Sequence, residues 1–445
     1  MREWQWLARQ SGTLLAGQLA IMGFGLTDTL IAGHHSPSAL AVLALANSIY
    51  VSIYVALNAV IQALLPIWAG LHGAVQPQAL GRSVRQSLYL AVILGAIGML
   101  ALGFPHPWLR WAQVPESLWP LVVDYLGVLA LALLPLLGFR IYSTLNQSLG
   151  LARLVTVLQA LGLLLKIPLS IVLTFGAGSW SGMGVEGCAW ATLAVQSLLL
   201  ATGLGLLRTQ AIFGGLQLWR KPERPDFAQL GRFAQMGLPA GLAVMVEVTS
   251  FTLMTLFIAS QGETMLASHQ IAANLAALLY MIPLAIGIAA SARTGYWLGA
   301  PQPLQAHSAV RLGLGMACGM ACVSAALLVL LREPLSRLYT SDSAVASLAS
   351  GWLVWVAFYH LADAVQTVCI FLLRCYRVTL SPLLIYTGVL WGVGLLGGYL
   401  LAYQGLGPWQ PQPSAESFWR MAVLALALVA VLMVMRLGRA MRARR

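Results

Sequence analysis

Twelve apolar stretches, each of about 20 residues or more, run through this chain of 445 residues, and each is long enough to cross a hydrocarbon layer of roughly 30 Å as an α-helix. They are bounded by charge or by Pro/Gly-rich breaks and fall at about 10–33, 40–70, 87–109, 121–148, 153–178, 185–208, 236–261, 265–297, 308–331, 345–373, 379–402 and 417–437. Lipid offers no hydrogen bonds to a backbone, so a lone spanning segment must satisfy its own N–H and C=O groups, and each stretch is expected to be helical. Composition agrees: 59% of residues are hydrophobic and 9% charged, against about a quarter charged in water-soluble domains. The chain is read as an all-α integral membrane protein.

The net charge of +12 would suggest nucleic acid in a soluble protein, but here the arginines sit in short connections between apolar runs. That placement reads as topology, with membrane lipid and not nucleic acid as the partner. Both termini and the even-numbered connections carry nineteen of the 25 basic residues, among them Arg2, Arg9, Arg82, Arg85, Arg220, Lys221, Arg224, Arg444 and Arg445. The opposite side has Arg110, Arg332, Arg337 and Arg420, while Arg140 and Lys166 lie within spans. A miscounted span would scramble this asymmetry, so twelve spans with both termini cytoplasmic are expected. The five cysteines, Cys188, Cys318, Cys322, Cys369 and Cys375, fall in or beside apolar runs without metal-ligand spacing and are read as packing residues. No small-residue cleavage site follows the first apolar run, so no removable signal peptide is expected.

The longest polar connection, near 209–235, carries Arg220-Lys221-Pro222-Glu223-Arg224-Pro225-Asp226 and has six spans on either side. Related text closes the second and eighth spans, where Gly73, Ala74, Gln76 and Pro77 match Gly299, Ala300, Gln302 and Pro303 at an offset of 226. The fourth and tenth spans end near Arg153 and Arg377. Six spans return a chain to its starting side, so the halves 1–220 and 221–445 are expected to be parallel repeats.

Three acids fall inside spans: Asp28, Glu247 and Asp363. Each costs roughly 2.5–3.5 kcal/mol or more at a helix centre unless it faces a cavity or a partner, which marks such residues as functional candidates. Glu247 and Phe251 are four residues apart, as are Tyr359 and Asp363, so each pair shares a helix face and joins a carboxylate to an aromatic ring. Carboxylate and phenol oxygens suit a hard cation or a proton, and a ring face attracts positive charge; ordinary apolar packing is the alternative for the rings. Asp28 follows Gly23 and Gly25, which permit close packing or a bend. Lys166 precedes Pro168 by two residues and needs an anion, water or a route to the interface. His269 and His360 are proton-carrier candidates or hydrogen-bonded structural residues.

At these residues the chain resembles the multidrug and toxic compound extrusion family, in its NorM-like bacterial branch. Thr27-Asp28-Thr29-Leu30-Ile31-Ala32-Gly33 resembles the family's conserved acid segment in the first helix, and Glu247-Val248-Thr249-Ser250-Phe251 with Ala267 to Asn274 is similar to its seventh and eighth. Phe358 to Gln366, with Tyr359 and Asp363 inside it, looks like its tenth. The resemblance implies two pseudo-symmetric six-helix lobes around a central cleft, and export of lipophilic organic cations in exchange for Na+ or H+ by alternating access. It further implies a cation site at Glu247, Asp363, Tyr359 and Phe251, with Na+ as the metal ion the two acids could hold, and a protonatable or gating group at Asp28, Lys166 and Ser170. Asn47, Asn274 and Tyr280 would line the substrate cleft. No cofactor beyond the coupling ion, a monomeric state and a bacterial inner membrane complete the expectation. One departure stands out: NorM-like members usually carry asparagines in the fifth helix, where this chain reads Lys166-Ile167-Pro168-Leu169-Ser170.

Three other readings compete. A flippase for lipid-linked precursors, of the same superfamily, would line its cleft with arginines to hold pyrophosphate, whereas here two basic residues within spans face three acids. An intramembrane enzyme would need a metal or nucleophile constellation, and none shows suitable spacing. A channel would repeat similar residues in rings, but the acids differ between the halves.

Overall fold

The computed structural model describes residues 3–111, 115–221, 223–405, 410–411 and 414–443. Arg2, Pro222, Arg444 and Arg445 lie outside them. Among the described residues twelve helices are long and apolar enough to cross a membrane. In chain order they are α1 (Glu3–His35), α2 (Pro37–Gly73), α3 (Pro77–Gly103), α4 (Glu116–Ser148), α5 (Ala152–Phe175), α6 (Glu186–Thr209), α7 (Phe227–Ala259), α8 (Glu263–Gly299), α9 (Pro303–Leu330), α10 (Ser343–Cys375), α11 (Leu380–Gln404) and α12 (Ala415–Arg442). Helices start where the sequence caps them. Ser36 accepts from the Ala39 N–H ahead of Pro37, and Asp342 and Ser414 do likewise for α10 and α12.

Two elements depart from regular α-helix. In α2 the helix breaks after Gln62 and resumes at Leu65, ahead of Pro66. Glycine-rich α11 widens into π-helix over Thr387–Leu396 and again over Leu400–Gln404.

The duplication is visible in the backbone. Gln76 N–H donates to Leu71 C=O at 3.0 Å and Gln302 N–H to Trp297 C=O at 3.0 Å, the same six-residue cap 226 positions apart. The ends of α4 and α10 repeat it, with Leu151 N–H on Asn146 C=O and Val378 N–H on Leu373 C=O.

The chain forms two compact units: Ala16–Gly241, and Met1–Leu15 together with Leu242–Arg445. α1 and α7, the first helix of each half, therefore both change unit partway along. Polar contacts account for where the divisions fall. The long connection is pinned to α3, where Arg82 meets Asp226 at 3.2 Å, Arg85 meets Glu223 at 2.7 Å and Gln86 donates to the Arg224 carbonyl at 3.0 Å. At the other division, Glu3 accepts from two nitrogens of Arg293, one of them Nε at 2.7 Å, and that guanidinium lies over the rings of Trp6 and Trp297 at 5.0 and 4.5 Å.

Candidate functional site

In the unit containing α8 to α12, helical spacing puts Glu247 and Phe251 on one face of α7 and Tyr359 and Asp363 on one face of α10. Contact between the Phe251 and Tyr359 rings sets these two carboxylate-bearing faces against each other, and Tyr280 is half-buried on α8. The Phe251 and Tyr359 rings meet edge to face with centroids 5.8 Å apart, and Trp419 of α12 completes a three-ring cluster at 6.3 and 5.9 Å from them. Next to these rings lies a cavity of about 30 Å³, bordered by Ser250, Met254, Leu390 and Gly394, large enough for about one water.

Asp363 is 2% exposed, and its Oδ1 accepts from Gln366 Nε2 at 2.8 Å and, more weakly, from Thr367 Oγ1 at 3.4 Å. Tyr386 of α11 donates to Gln366 Oε1. This chain of donors fixes one oxygen and aims the carboxylate. Glu247, half-buried, takes no hydrogen bond among the described residues. Arg374 is the nearest basic residue along α10, roughly 16 Å away by helical rise. Along α7 and α10, no lysine or arginine lies within two turns of either acid.

The other unit has the opposite arrangement. Lys166 of α5 is fully buried, and its Nζ donates to Asp28 Oδ2 of α1 at 2.9 Å and to the Thr192 hydroxyl of α6. The Phe24 ring lies 5.5 Å from the ammonium. Close helix approach brings these groups together: a side chain at Gly23 would meet Leu163 of α5, whereas Gly25 faces open space. Ser170 is buried and its hydroxyl has no hydrogen-bond partner among the described residues.

Sequence and family comparisons decide the class. The MatE family profile matches residues 14–172 and again 239–400, segments that begin 225 residues apart, as the repeat requires. The chain belongs to the MatE family. Similar curated proteins include a probable multidrug resistance protein NorM of Aromatoleum aromaticum, 35% identical over 94% of this chain and 90% of the relative. The multidrug resistance protein PmpM of Pseudomonas aeruginosa is 34% identical over 96% and 90%. Among solved structures, the eukaryotic MATE transporter AtDTX14 shares the fold at TM-score 0.88 with 18% identity, covering 100% of this chain and 98% of that one. The bent form of the Vibrio cholerae MATE transporter VcmN has a TM-score of 0.82 at 18% identity, covering 99% and 98%. MatE proteins are transporters and not enzymes, so this member is a multi-pass transporter.

Of the remaining candidates, His269 packs on Trp419 with ring centroids 5.7 Å apart. Asn274 is exposed on α8 and Asn47 half-buried on α2, and neither side chain makes a hydrogen bond among the described residues. His269 Nε2 lies 3.0 Å from the Thr255 hydroxyl and His360 Nε2 2.9 Å from that of Ser324, the hydrogen-bonded alternative for each. Gln366, Tyr386 and Trp419 were not found by sequence reasoning. Gln366 had a signal, three residues after Asp363 and thus on its face; the two aromatics had none.

Proposed function

We propose that this MatE member is a multidrug efflux transporter of the inner membrane, exchanging lipophilic organic cations for a coupling ion bound at Glu247 and Asp363. The observation that carries the reading is the ring contact of Phe251, Tyr359 and Trp419, which sets together the faces of α7 and α10 that carry Glu247 and Asp363 inside membrane helices. In this reading the halves 1–220 and 221–445 are the repeats of an alternating-access transporter, and Asn47, Asn274 and Tyr280 are substrate-facing residues. Both repeats are on one chain, so a monomer suffices, and the Lys/Arg asymmetry supports cytoplasmic termini.

A bound ion drives transport only by stabilising one conformation over the other, so the site must lose its ion-binding charge for coupling to fail. In proteoliposomes, Glu247→Gln or Asp363→Asn is expected to insert normally and to lose gradient-driven export of a lipophilic cation at least tenfold. Unchanged uphill export by either variant removes this site from the mechanism.

The available oxygens favour Na+: Glu247, the second oxygen of Asp363 and the Tyr359 hydroxyl are hard ligands, and Phe251 adds a ring face. An imposed Na+ gradient at equal pH is then sufficient for export. Full export driven by a pH gradient in Na+-free buffer would assign the role to H+.

A further inference from the structure

We infer that Lys166 is a tethered counter-ion that takes Asp28 out of ion exchange, so that the cycle is coupled through the Glu247–Asp363 site alone. The inference rests on the transport reading above.

An ammonium has three N–H donors, and two of them are engaged by oxygens here. One goes to Asp28 Oδ2 at 2.9 Å, one to Thr192 Oγ1, and the Phe24 ring face lies 5.5 Å away. The Thr192 hydroxyl donates its own hydrogen to the Cys188 carbonyl at 2.9 Å, which turns its lone pairs towards the lysine. Three helices, α1, α5 and α6, thus converge on a side chain with no exposed surface.

The charge balance of the pair explains why it does not exchange. Lys166 and Asp28 together hold one proton and no net charge, whether that proton rests on Nζ or on the carboxylate. Adding H+ or Na+ would leave a net positive charge among apolar helices, and removing the proton would leave a net negative one. Either is disfavoured on the order of 100-fold, from the price of a lone charge at this depth. The Glu247–Asp363 pair has no such internal cation and must draw its positive charge from solution. Lys166 therefore occupies the position that a coupling ion would otherwise take.

The oxygens needed for such an ion are still present. Asp28 Oδ1 is buried and has no hydrogen-bond partner among the described residues. The Ser170 hydroxyl, one turn beyond Lys166 on the same face of α5, is buried and has no hydrogen-bond partner among the described residues. With a short neutral residue at 166, Asp28, Ser170 and Thr192 form a latent second site.

The experiment reads coupling stoichiometry in proteoliposomes containing the full chain. Steady-state accumulation of tetraphenylphosphonium is measured against imposed Na+ and pH gradients, and the slope of one logarithm on the other gives ions per cycle. Lys166→Asn is expected to raise the slope by about one ion. The double variant Lys166→Asn with Asp28→Asn removes both charges, leaves no bare charge to impair folding, and is expected to return to the wild-type slope. A wild-type slope in Lys166→Asn, or a slope lowered by one in the double variant, overturns the inference. Glu247→Gln run alongside separates the two claims: if it still accumulates the probe uphill, the reading of the transport site fails irrespective of Lys166.

Discussion

The Tyr359 side chain combines two properties that can be separated by one atom. Its ring packs edge-on against Phe251 and Trp419, and its hydroxyl is an oxygen carried one helical turn before Asp363 on the same face of α10. Tyr359→Phe keeps the ring and its packing, so thermal stability should change little, whereas the half-saturating Na+ concentration for export should rise roughly three- to tenfold if the hydroxyl is a ligand, the equivalent of one modest hydrogen bond or ligand. An unchanged Na+ dependence would confine Tyr359 to packing. At this scale the sequence was legible wherever a residue was expensive to bury. Asp28, Glu247, Asp363 and Lys166 stand out because lipid penalises charge. Trp419 and Tyr386 do not, because an aromatic in an apolar run reads as core whatever it touches. The Lys166–Asp28 contact joins positions 138 apart, and only the departure at 166 from the family pattern hinted at it.

Among the helices, α11 owes its close seat on α12 to small residues. A Cβ at Gly398 would sit 2.7 Å from the Phe418 side chain and 3.2 Å from its Cα, and one at Gly397 would meet Met421 at 2.6 Å. Without a hydrophobic driving force between helices in lipid, such close approach supplies the attraction. Met421 is flexible and can yield; the Phe418 backbone cannot. Gly398→Val is therefore expected to destabilise the protein by about 1–3 kcal/mol through overpacking, seen as a lower melting temperature in detergent, while Gly388→Ala, which faces open space, leaves it unchanged. Equal melting for both variants would mean that α11 does not depend on this contact. Span count and approximate boundaries could be read from hydropathy, since length and apolarity are what lipid selects. The π-helical widening of α11 could not: a composition rich in glycine permits it, but tertiary packing sets the register.

Across the whole molecule, the duplicated backbone carries an uneven distribution of charge. The caps 226 residues apart and the twice-matched family profile show how closely the halves correspond. Within the spans, however, the unit of Ala16–Gly241 buries Asp28 paired with Lys166, and also Arg140, while the other buries Asp363 and, further along α10, Arg374, with no ion pair to Asp363 or Glu247 among the described residues. Duplication was readable from short matched segments because turns constrain sequence strongly. The functional divergence became clear only when contacts showed which acid had a basic partner. This asymmetry makes a prediction about the entire folded chain. A ligand that binds the folded state raises stability by RT ln(1 + [L]/Kd), about 2.7 kcal/mol at a hundredfold excess over Kd. Na+ should accordingly raise the melting temperature of the purified transporter by a few degrees relative to choline at equal ionic strength. The rise should vanish in Glu247→Gln with Asp363→Asn, yet persist in Asp28→Asn with Lys166→Asn, which removes both charges of the pair together. Stabilisation by Na+ that survives loss of both Glu247 and Asp363 would place the ion elsewhere in the molecule, and its loss with Asp28 and Lys166 would place it in the unit where the structure already holds a cation of its own.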